Sequence, residues 1–269
     1  MIAITRLRLR EIALSLRDPF RTSAGLTHHR RILLVEAFDA DGAVGWGECV
    51  AEEAPHYSPE TVDTARAAIR AWVGPAVLGR SFAGPDEVFP ALERALRGHP
   101  MAKAAVEMAA WDLAAQQEGV PLARLLGGTR PRVEVGISLG IPETLDALGR
   151  QVAGAVAEGY RRVKVKIAPG MDVKLVAAAR RAAGEQFPLS VDANAAYSLD
   201  DLAVLQKLDS LHPAMIEQPL PADDLSGHAR LQASLESPIC LDESVTSAAR
   251  AADAIPFRAG RIINIKPGP

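Results

Sequence analysis

The chain has 269 residues, of which 48% are hydrophobic and 23% are charged, with a formal net charge of −3 at pH 7. This composition supplies enough apolar material for one large core or two smaller ones, and the charge argues against a nucleic-acid partner. Apolar runs fall short of the roughly 18 residues of a membrane span. Cys49 and Cys240 lack metal-type spacing, so the sequence predicts a cytoplasmic protein with reduced thiols and no membrane partner.

The first part of the chain, residues 1–128, is predicted to be an α+β domain. Residues 1 to about 50 read as strands, and the turn Asp41-Gly42 between two of them suits a hairpin. Ser58 is the candidate N-cap of the helix that follows. Three helices are predicted, beginning near Pro59, at Pro85 and at about Met101, the last of them running to Glu118.

After residue 128, short apolar strands alternate with alanine-rich helices in a regular repeat. The predicted strands are 133–140, 162–167, 188–193, 214–219, 238–242 and 261–266. The predicted helices lie near 143–158, 172–184, 199–208, 223–235 and 246–254. Continuous apolar strands are typical of strands buried on both faces and imply a parallel sheet covered by helices, and the regular repeat favours an α/β barrel of the TIM type. We therefore assign 129–269 to a partial (β/α) barrel.

The number of predicted strands sets a further expectation. A closed barrel of this type has eight strands, and only six are found here. Two more strands with their helices would take roughly 50 to 60 residues at this repeat length. We therefore expect the chain to be the front part of a longer protein.

Three acidic residues at the ends of predicted strands, Asp192, Glu217 and Asp242, are evenly spaced along the chain. Lys166 precedes the first by nearly the same interval, and Lys266 follows the last by nearly the same interval. The carboxyl ends of barrel strands open on one shared face, so these side chains are expected to converge there. Three carboxylates without nearby His or Cys suit Mg²⁺, with Mn²⁺ as a second possibility.

The lysines indicate proton transfer. In an eight-strand ring Lys166 and Lys266 would lie four strands apart, on either side of the α-carbon of a carboxylate substrate. Loss of the α-proton gives an enediolate, which a divalent ion stabilises. Lys164, two residues before Lys166 on a strand, points to the same side and would lower the pKa of the base. Asn194 and Glu243 are candidates for orienting the site.

The motifs VKVKI, VDANAAYS, IEQPL, CLDES and NIKPG, in this order and spacing, resemble the muconate-lactonizing subgroup of the enolase superfamily. Within it the chain is most similar to the o-succinylbenzoate synthase and N-acylamino acid racemase family, and PFRTSAG and GWGEC in the first domain share the likeness. The resemblance implies a capping domain, Mg²⁺ on the three acids, and Lys166 and Lys266 as an acid/base pair supported by Lys164. It also makes Phe20, in PFRTSAG, a substrate-binding candidate.

Several functions remain open at this stage. The first expectation is a Mg²⁺-dependent lyase that dehydrates a cyclohexadiene carboxylate to o-succinylbenzoate in menaquinone biosynthesis, and the second is an N-acylamino acid racemase. A lysine in a barrel can also form a Schiff base, as in metal-independent aldolases, and a non-catalytic metal-binding barrel is the fourth reading. Ser138, at the end of the first barrel strand, has either a substrate contact or a packing role. The resemblance further favours a homo-oligomer acting on a small carboxylate.

Overall fold

The computed structural model describes residues 1–268, which divide into two compact units. The first unit comprises Met1–Arg17, His28–Pro131 and the residues from Lys266 onward, and the second comprises Asp18–Thr27 and Arg132–Ile265. Each unit has its own cluster of buried apolar side chains. None of the helices described is both long and apolar enough to cross a membrane.

The strands that precede the parallel repeat form two small sheets. They are β1 (Ile2–Ala3), β2 (Arg6–Arg21), β3 (Leu26–Phe38), β4 (Val44–Cys49) and β5 (Ser81–Phe82). One sheet has the order β2-β3-β4 and the other pairs β1 with β5. The predicted hairpin is confirmed, because β3 and β4 pair antiparallel up to Phe38 opposite Val44, and Gly42 takes a φ of 91° in the turn between them.

The helices of this unit are α1 (Val62–Ala68), α2 (Gly74–Val77), α3 (Val88–Ala95), α4 (Pro100–Glu118) and α5 (Leu122–Leu125), with a π-helical segment at Ile69–Val73 and a 3₁₀ turn at Pro85–Glu87. The predicted cap at Ser58 is wrong. The first helix begins later, after Thr61, whose hydroxyl accepts from the backbone N–H of Thr64 in a capping box. Ser58 instead accepts from the backbone N–H of Glu60, within the turn before the helix.

The motif GWGEC is explained by how closely α4 packs against β4. A Cβ atom on Gly45 would lie 2.1 Å from the carbonyl oxygen of Ala109, and one on Gly47 would lie 1.9 Å from that of Ala105. No side chain fits in this space, so only glycine permits the two backbones to approach. Between these glycines, the backbone N–H of Trp46 donates to Asp112 Oδ2 at 2.8 Å.

The second unit confirms the predicted alternation. Its strands are β6 (Gly136–Leu139), β7 (Arg162–Lys166), β8 (Leu189–Asp192), β9 (Ile216–Glu217), β10 (Ile239–Leu241) and β11 (Ile262–Ile263). Its helices are α6 (Leu145–Ala157), α7 (Val173–Ala183), α8 (Leu202–Asp209, after a 3₁₀ turn at Leu199–Asp201), α9 (Leu225–Ala233) and α10 (Ala248–Phe257). The six strands pair parallel in sequential order, as in a barrel of the TIM type.

At the amino ends of these strands, buried polar side chains hold the incoming backbone. Arg180 in α7 is 5% exposed, and its guanidinium donates to the backbone carbonyls of Gly184, Glu185, Phe187, Leu211 and His212. Asp209 accepts from the backbone N–H groups of Glu236 and Ser237 at 2.9 and 2.7 Å. These bonds fix the chain where it enters β8, β9 and β10.

Both cysteines are buried and unpaired, as the sequence predicts. Burial raises the pKa of Cys49 to about 11 and that of Cys240 to about 12. Each side chain is therefore a protonated thiol at neutral pH.

Candidate active site

The register of the parallel sheet brings the predicted acids and lysines to neighbouring positions. Lys166 is paired with Asp192 across β7 and β8, and Asp192 is paired with Glu217 across β8 and β9. The backbone ladder continues past the strand ends, since Ala193 donates to the carbonyl of Glu217 at 3.0 Å. Adjacent carboxyl ends therefore hold these side chains in a row.

The two lysines of β7 both contact this row. Lys164 Nζ donates to both carboxylate oxygens of Glu217 at 2.9 Å and lies 3.1 Å from Asp192 Oδ2. Lys166 Nζ lies 2.7 Å from the same Asp192 oxygen and donates to Asn194 Oδ1 at 2.6 Å. Because both amines reach one oxygen, Lys164 and Lys166 point to the same side of the sheet.

Asn194 links the base candidate to a further acid. Its side-chain amide accepts from Lys166 and donates through Nδ2 to Glu243 Oε1 at 3.0 Å. Within the part of the chain that the structure describes, the other oxygen of Glu243, Oε2, is buried without a hydrogen-bond partner. Burial, and then the charge of Asp242, raise the pKa of Glu243. Hydrogen bonds with Lys166 and Glu243 therefore fix the side chain of Asn194, and Oε2 of Glu243 can still accept a further hydrogen bond.

The electrostatics show more negative than positive charge in this cluster. Burial and the charge of Asp192 raise the pKa of Glu217 despite its bonds to Lys164. Burial opposes ionisation of Asp192, but Lys166 and Lys164 outweigh it and lower the pKa of that carboxyl. Burial likewise acts to lower the pKa of Lys164, and the charges of Asp192 and Glu217 outweigh it, so that the pKa is raised.

Asp242 follows β10 and is 5% exposed. Its backbone N–H donates to the side chain of Gln218, and its charge is felt at Glu217. Among residues 1–268, however, no three His, Cys, Asp or Glu side chains are arranged so that they could hold a metal ion. In this structure the amines of Lys164 and Lys166 contact the facing oxygens of Asp192 and Glu217.

The backbone is strained at the same strand ends. Asn194, Ala195 and Gln218 have positive φ values of 45°, 60° and 37°. Non-glycine residues rarely adopt this left-handed region, and such strain concentrates at functional sites. The bond from the N–H of Ala195 to the carbonyl of Gln218, at 2.8 Å, ties two of these residues together.

Two weaker candidates also lie in the second unit. Ser138 in β6 is exposed and lines a cavity of about 230 Å³ whose wall includes Lys164 and Glu217. Phe20, on the segment Asp18–Thr27, is half-buried beside Gly140, where a Cβ atom would lie 3.4 Å from its ring.

One predicted site residue, Lys266, is not part of the compact unit that contains Lys166 and the three acids. It belongs with the first unit, where its Nζ donates to the hydroxyl of Tyr57 and lies 4.6 Å from the centre of that ring. The predicted strand 261–266 is shorter than expected, since β11 ends at Ile263.

Sequence reasoning missed three residues that contact the cluster. The hydroxyl of Ser23 donates to the carbonyl of Ala193 at 3.1 Å, next to Asp192. Asn264 Nδ2 donates to Glu217 Oε1 at 3.2 Å. Gln218 is fully buried directly after Glu217. A polar residue within or just beyond an apolar strand was the available signal for Gln218 and Asn264, whereas no local pattern indicates Ser23.

Comparison with known families agrees with this geometry. Residues 4–127 match the mandelate racemase / muconate lactonizing enzyme N-terminal domain, and residues 147–269 match the enolase C-terminal domain-like family. The chain belongs to the enolase superfamily. Its fold agrees, since a solved enolase superfamily member from Listeria innocua superposes with a TM-score of 0.92 at 35% identity, over 98% of this chain and 71% of that one.

Similar enolase superfamily enzymes carry two names. An o-succinylbenzoate synthase from Geobacillus kaustophilus is 48% identical over 97% of this chain and 69% of its own length. An N-succinylamino acid racemase from Thermus thermophilus is 47% identical over 99% of this chain and 71% of its own length. The chain is thus an enzyme of this superfamily, and both activities occur among its close relatives.

Proposed function

We propose that this enolase superfamily enzyme abstracts the proton α to a carboxylate and acts as an o-succinylbenzoate synthase in menaquinone biosynthesis. The observation that carries the proposal is the position of Lys166, whose amine lies between Asp192 and Asn194 at the end of a parallel strand. A lysine fixed beside buried carboxylates at the carboxyl end of β7 has the position expected of a barrel enzyme's base. The 48% identity to a named synthase supports the substrate assignment.

We propose Asp192, Glu217 and Asp242 as ligands of Mg²⁺, with Mn²⁺ as a substitute. The donor chemistry fits, because all three are carboxylates, each 5% exposed or less, at the ends of adjacent strands. The net negative charge of the cluster also suits a divalent cation. With Glu243 they make four carboxylates against the amines of Lys164 and Lys166, and the raised pKa of Glu217 reflects its burial together with that excess. When bound, the ion would stabilise negative charge that develops on the substrate.

The chain's own residues then perform the proton transfers. In a syn elimination Lys166 takes the α-proton and returns it to the departing hydroxide, so one amine serves both steps. Asn194 orients that amine through its bond from Nζ, and Glu243 orients Asn194. Lys164, bonded to Glu217 and Asp192, holds these acids in place and adds positive charge beside them.

Lys266 completes the proposal as the second lysine. In the synthase its role is to stabilise the anionic intermediate, and in a racemase it would exchange a proton on the opposite face from Lys166. Ser138 and Phe20 are proposed as substrate contacts. Support for Ser138 comes from its exposure in the cavity next to Lys164, and support for Phe20 comes from its placement in the second unit.

N-succinylamino acid racemase is the second candidate function. Its support is the relative from Thermus thermophilus, which is as similar as the synthases. The same two lysines would suffice, because racemisation needs only that the proton be lost on one face and regained on the other.

One set of assays tests both candidates. The purified chain with Mg²⁺ is given the cyclohexadiene carboxylate, and formation of o-succinylbenzoate is followed by absorbance. It is also given an N-succinylamino acid in D₂O, and deuterium at the α-carbon is followed by NMR. Exchange without dehydration would reverse the order of the two functions. Borohydride trapping of a carbonyl substrate that persists in a chelator would contradict both and support a Schiff-base aldolase.

We propose a capping domain at residues 1–128 and a barrel domain at 129–269, which the family matches at 4–127 and 147–269 support. We propose a cytoplasmic location, which the two unpaired, buried cysteines support. We also propose a homo-oligomer, on the family resemblance alone, and light scattering of the purified protein tests it.

A further inference from the structure

Gln218 is the buried polar residue that joins the ends of three parallel strands. Its backbone N–H donates to the carbonyl of Cys240 in β10 at 2.8 Å, and its own carbonyl accepts from Ala195 beyond β8. It directly follows Glu217, the last residue of β9, and its side chain is completely buried. A displacement of Gln218 would therefore move the backbone at the carboxyl ends of β8, β9 and β10.

The side-chain amide of Gln218 uses every hydrogen-bonding position it has. Its Oε1 accepts from the backbone N–H of Asp242 at 2.8 Å and from that of Ser244 at 3.2 Å. Its Nε2 donates to the hydroxyl of Ser244 at 2.7 Å and to the carbonyl of Leu220 at 3.0 Å. An amide has two acceptor and two donor positions, so all four are filled. The amide also cannot flip, because Nε2 would then face two N–H donors.

A buried histidine holds the same loop. His228 is completely buried, and its Nδ1 lies 2.7 Å from the carbonyl oxygen of Asp224. A carbonyl only accepts, so Nδ1 carries the proton and Nε2 is an acceptor, which receives the backbone N–H of Leu220 at 3.3 Å. Leu220 in turn accepts from Gln218. The donor end of the Gln218 amide is thus anchored to a fixed segment.

We propose that Gln218 is a positioning residue that fixes the carboxylate of Asp242 relative to that of Glu217 and so sets the geometry of the divalent-cation site. The inference rests on the function proposed above, because it requires both carboxylates to bind one ion. Gln218 is adjacent to one acid along the chain and bonded to the backbone of the other. It therefore couples the two more directly than the β9–β10 ladder does, whose register ends at Cys240 opposite Glu217.

The chain contains a matched control for this role. Gln232 is also buried, and its side chain also bonds to the backbone around β10: Oε1 accepts from Ile239 N–H at 2.7 Å, and Nε2 donates to the carbonyl of Ser237 at 3.1 Å. Gln232 acts at the amino end of β10, however, and Gln218 acts beyond its carboxyl end. The two glutamines have similar structural duties, and only one of them holds a proposed ligand.

The experiment measures Mg²⁺ affinity by isothermal titration calorimetry and thermal stability by circular dichroism, for the full chain and the variants Q218M and Q232M. We expect Q218M to bind Mg²⁺ roughly 10- to 100-fold more weakly, the usual effect of removing a residue that supports metal ligands. Q232M should keep the wild-type affinity within about twofold, because its losses lie away from the acids. Both variants should unfold at a lower temperature.

The possible results distinguish a failure of the positioning role of Gln218 from a failure of the proposed function. Equal affinity in Q218M and the wild type, or an equal loss in Q232M, would overturn the positioning role and leave the proposed function standing. A wild-type chain that does not bind Mg²⁺ would overturn both. If Q218M does not fold, S244A replaces it. That variant removes one acceptor of the Gln218 amide, and a threefold or greater loss of affinity supports the role whereas an unchanged affinity contradicts it.

Discussion

The two ends of the parallel sheet use polar residues in opposite ways. At the amino ends, Arg180, Asp209 and Gln232 bond to backbone groups, and these bonds only hold the chain. At the carboxyl ends, Lys164 and Lys166 bond to the side chains of Asp192, Glu217 and Asn194. The amino end only satisfies backbone groups, whereas the carboxyl end, besides the backbone bonds of Gln218, brings charged side chains together.

The difference separates stability from reactivity within one sheet. Burying charged pairs costs solvation that their attraction does not reliably recover, so a cluster of buried acids and amines is poor evidence of a stabilising role. The unpartnered Oε2 of Glu243 and the positive φ values of Asn194 and Gln218 add to that cost. Such features persist where function needs them, which agrees with the placement of active sites at the carboxyl face of barrels.

The largest effect should come from removing the base at the carboxyl end. We expect K166M to lower the turnover of the preferred substrate by roughly a factor of 10³ or more, because proton transfer by a positioned side chain contributes on that order. Steady-state kinetics on the purified variant provides the measurement. K174M, at an exposed position in α7, is the control and should retain full activity. Near-normal turnover in K166M would remove it from the mechanism.

At the amino end, the largest effect should be on stability and not on turnover. R180M leaves carbonyls that enter β8 and β9 without their buried donor, and we expect a loss of about 3 kcal/mol in the free energy of unfolding. Urea denaturation measures this loss. R181M removes the same charge from an exposed neighbour and should change stability by less than about 0.5 kcal/mol. A large fall in the turnover per folded molecule of R180M would contradict the claim that the amino end of the sheet contributes to stability and not to catalysis.

A smaller effect should depend on pH. Burial opposes ionisation of Asp209, but hydrogen bonds from Ser237 and Glu236 outweigh it and lower its pKa in the folded chain. The stability that it contributes is therefore complete above the pKa of the unfolded chain, about 4, and is lost as the pH falls through the folded value.

We expect D209A to lose about 1 to 2 kcal/mol at pH 7, from two bonds to a charged acceptor, and this difference from wild type should shrink below about pH 4. Chemical unfolding between pH 3 and pH 7 provides the measurement. D223A, at an exposed acid, controls for the change in charge. A difference from wild type that grows as the pH falls would mean that the sign of the linkage is wrong.

The sequence was sufficient for the repeating architecture because strand and helix periodicity is local. The predicted strand 188–193 and helix 172–184 differ from β8 and α7 by one residue at each end. The even spacing of the acids also predicted that Asp192 and Glu217 lie next to each other, and the sheet pairs them side by side. A parallel sheet converts that spacing into neighbouring positions, so the interval alone was informative.

Interactions between distant segments were not predictable in this way. Pro59 made Ser58 the natural cap, but the backbone N–H of Val62 donates to the carbonyl of Glu52 and Thr61 is extended, so the helix begins only after Thr61. The side chain of Gln218 bonds to the backbone N–H of Asp242, which follows the next strand along the chain. The placement of Lys266 with Tyr57 joins residues that are far apart in the sequence. Each of these depends on tertiary pairing, which local propensity does not encode.

The two protected thiols have a practical consequence. Cys49 lies in the core of the first unit and Cys240 in a strand of the second, and both side chains are almost completely shielded from solvent. A thiol-specific reagent can therefore reach either one only when its unit opens. Mass spectrometry of the labelled peptides would then time the opening of each unit separately, with reporters that are native to the chain.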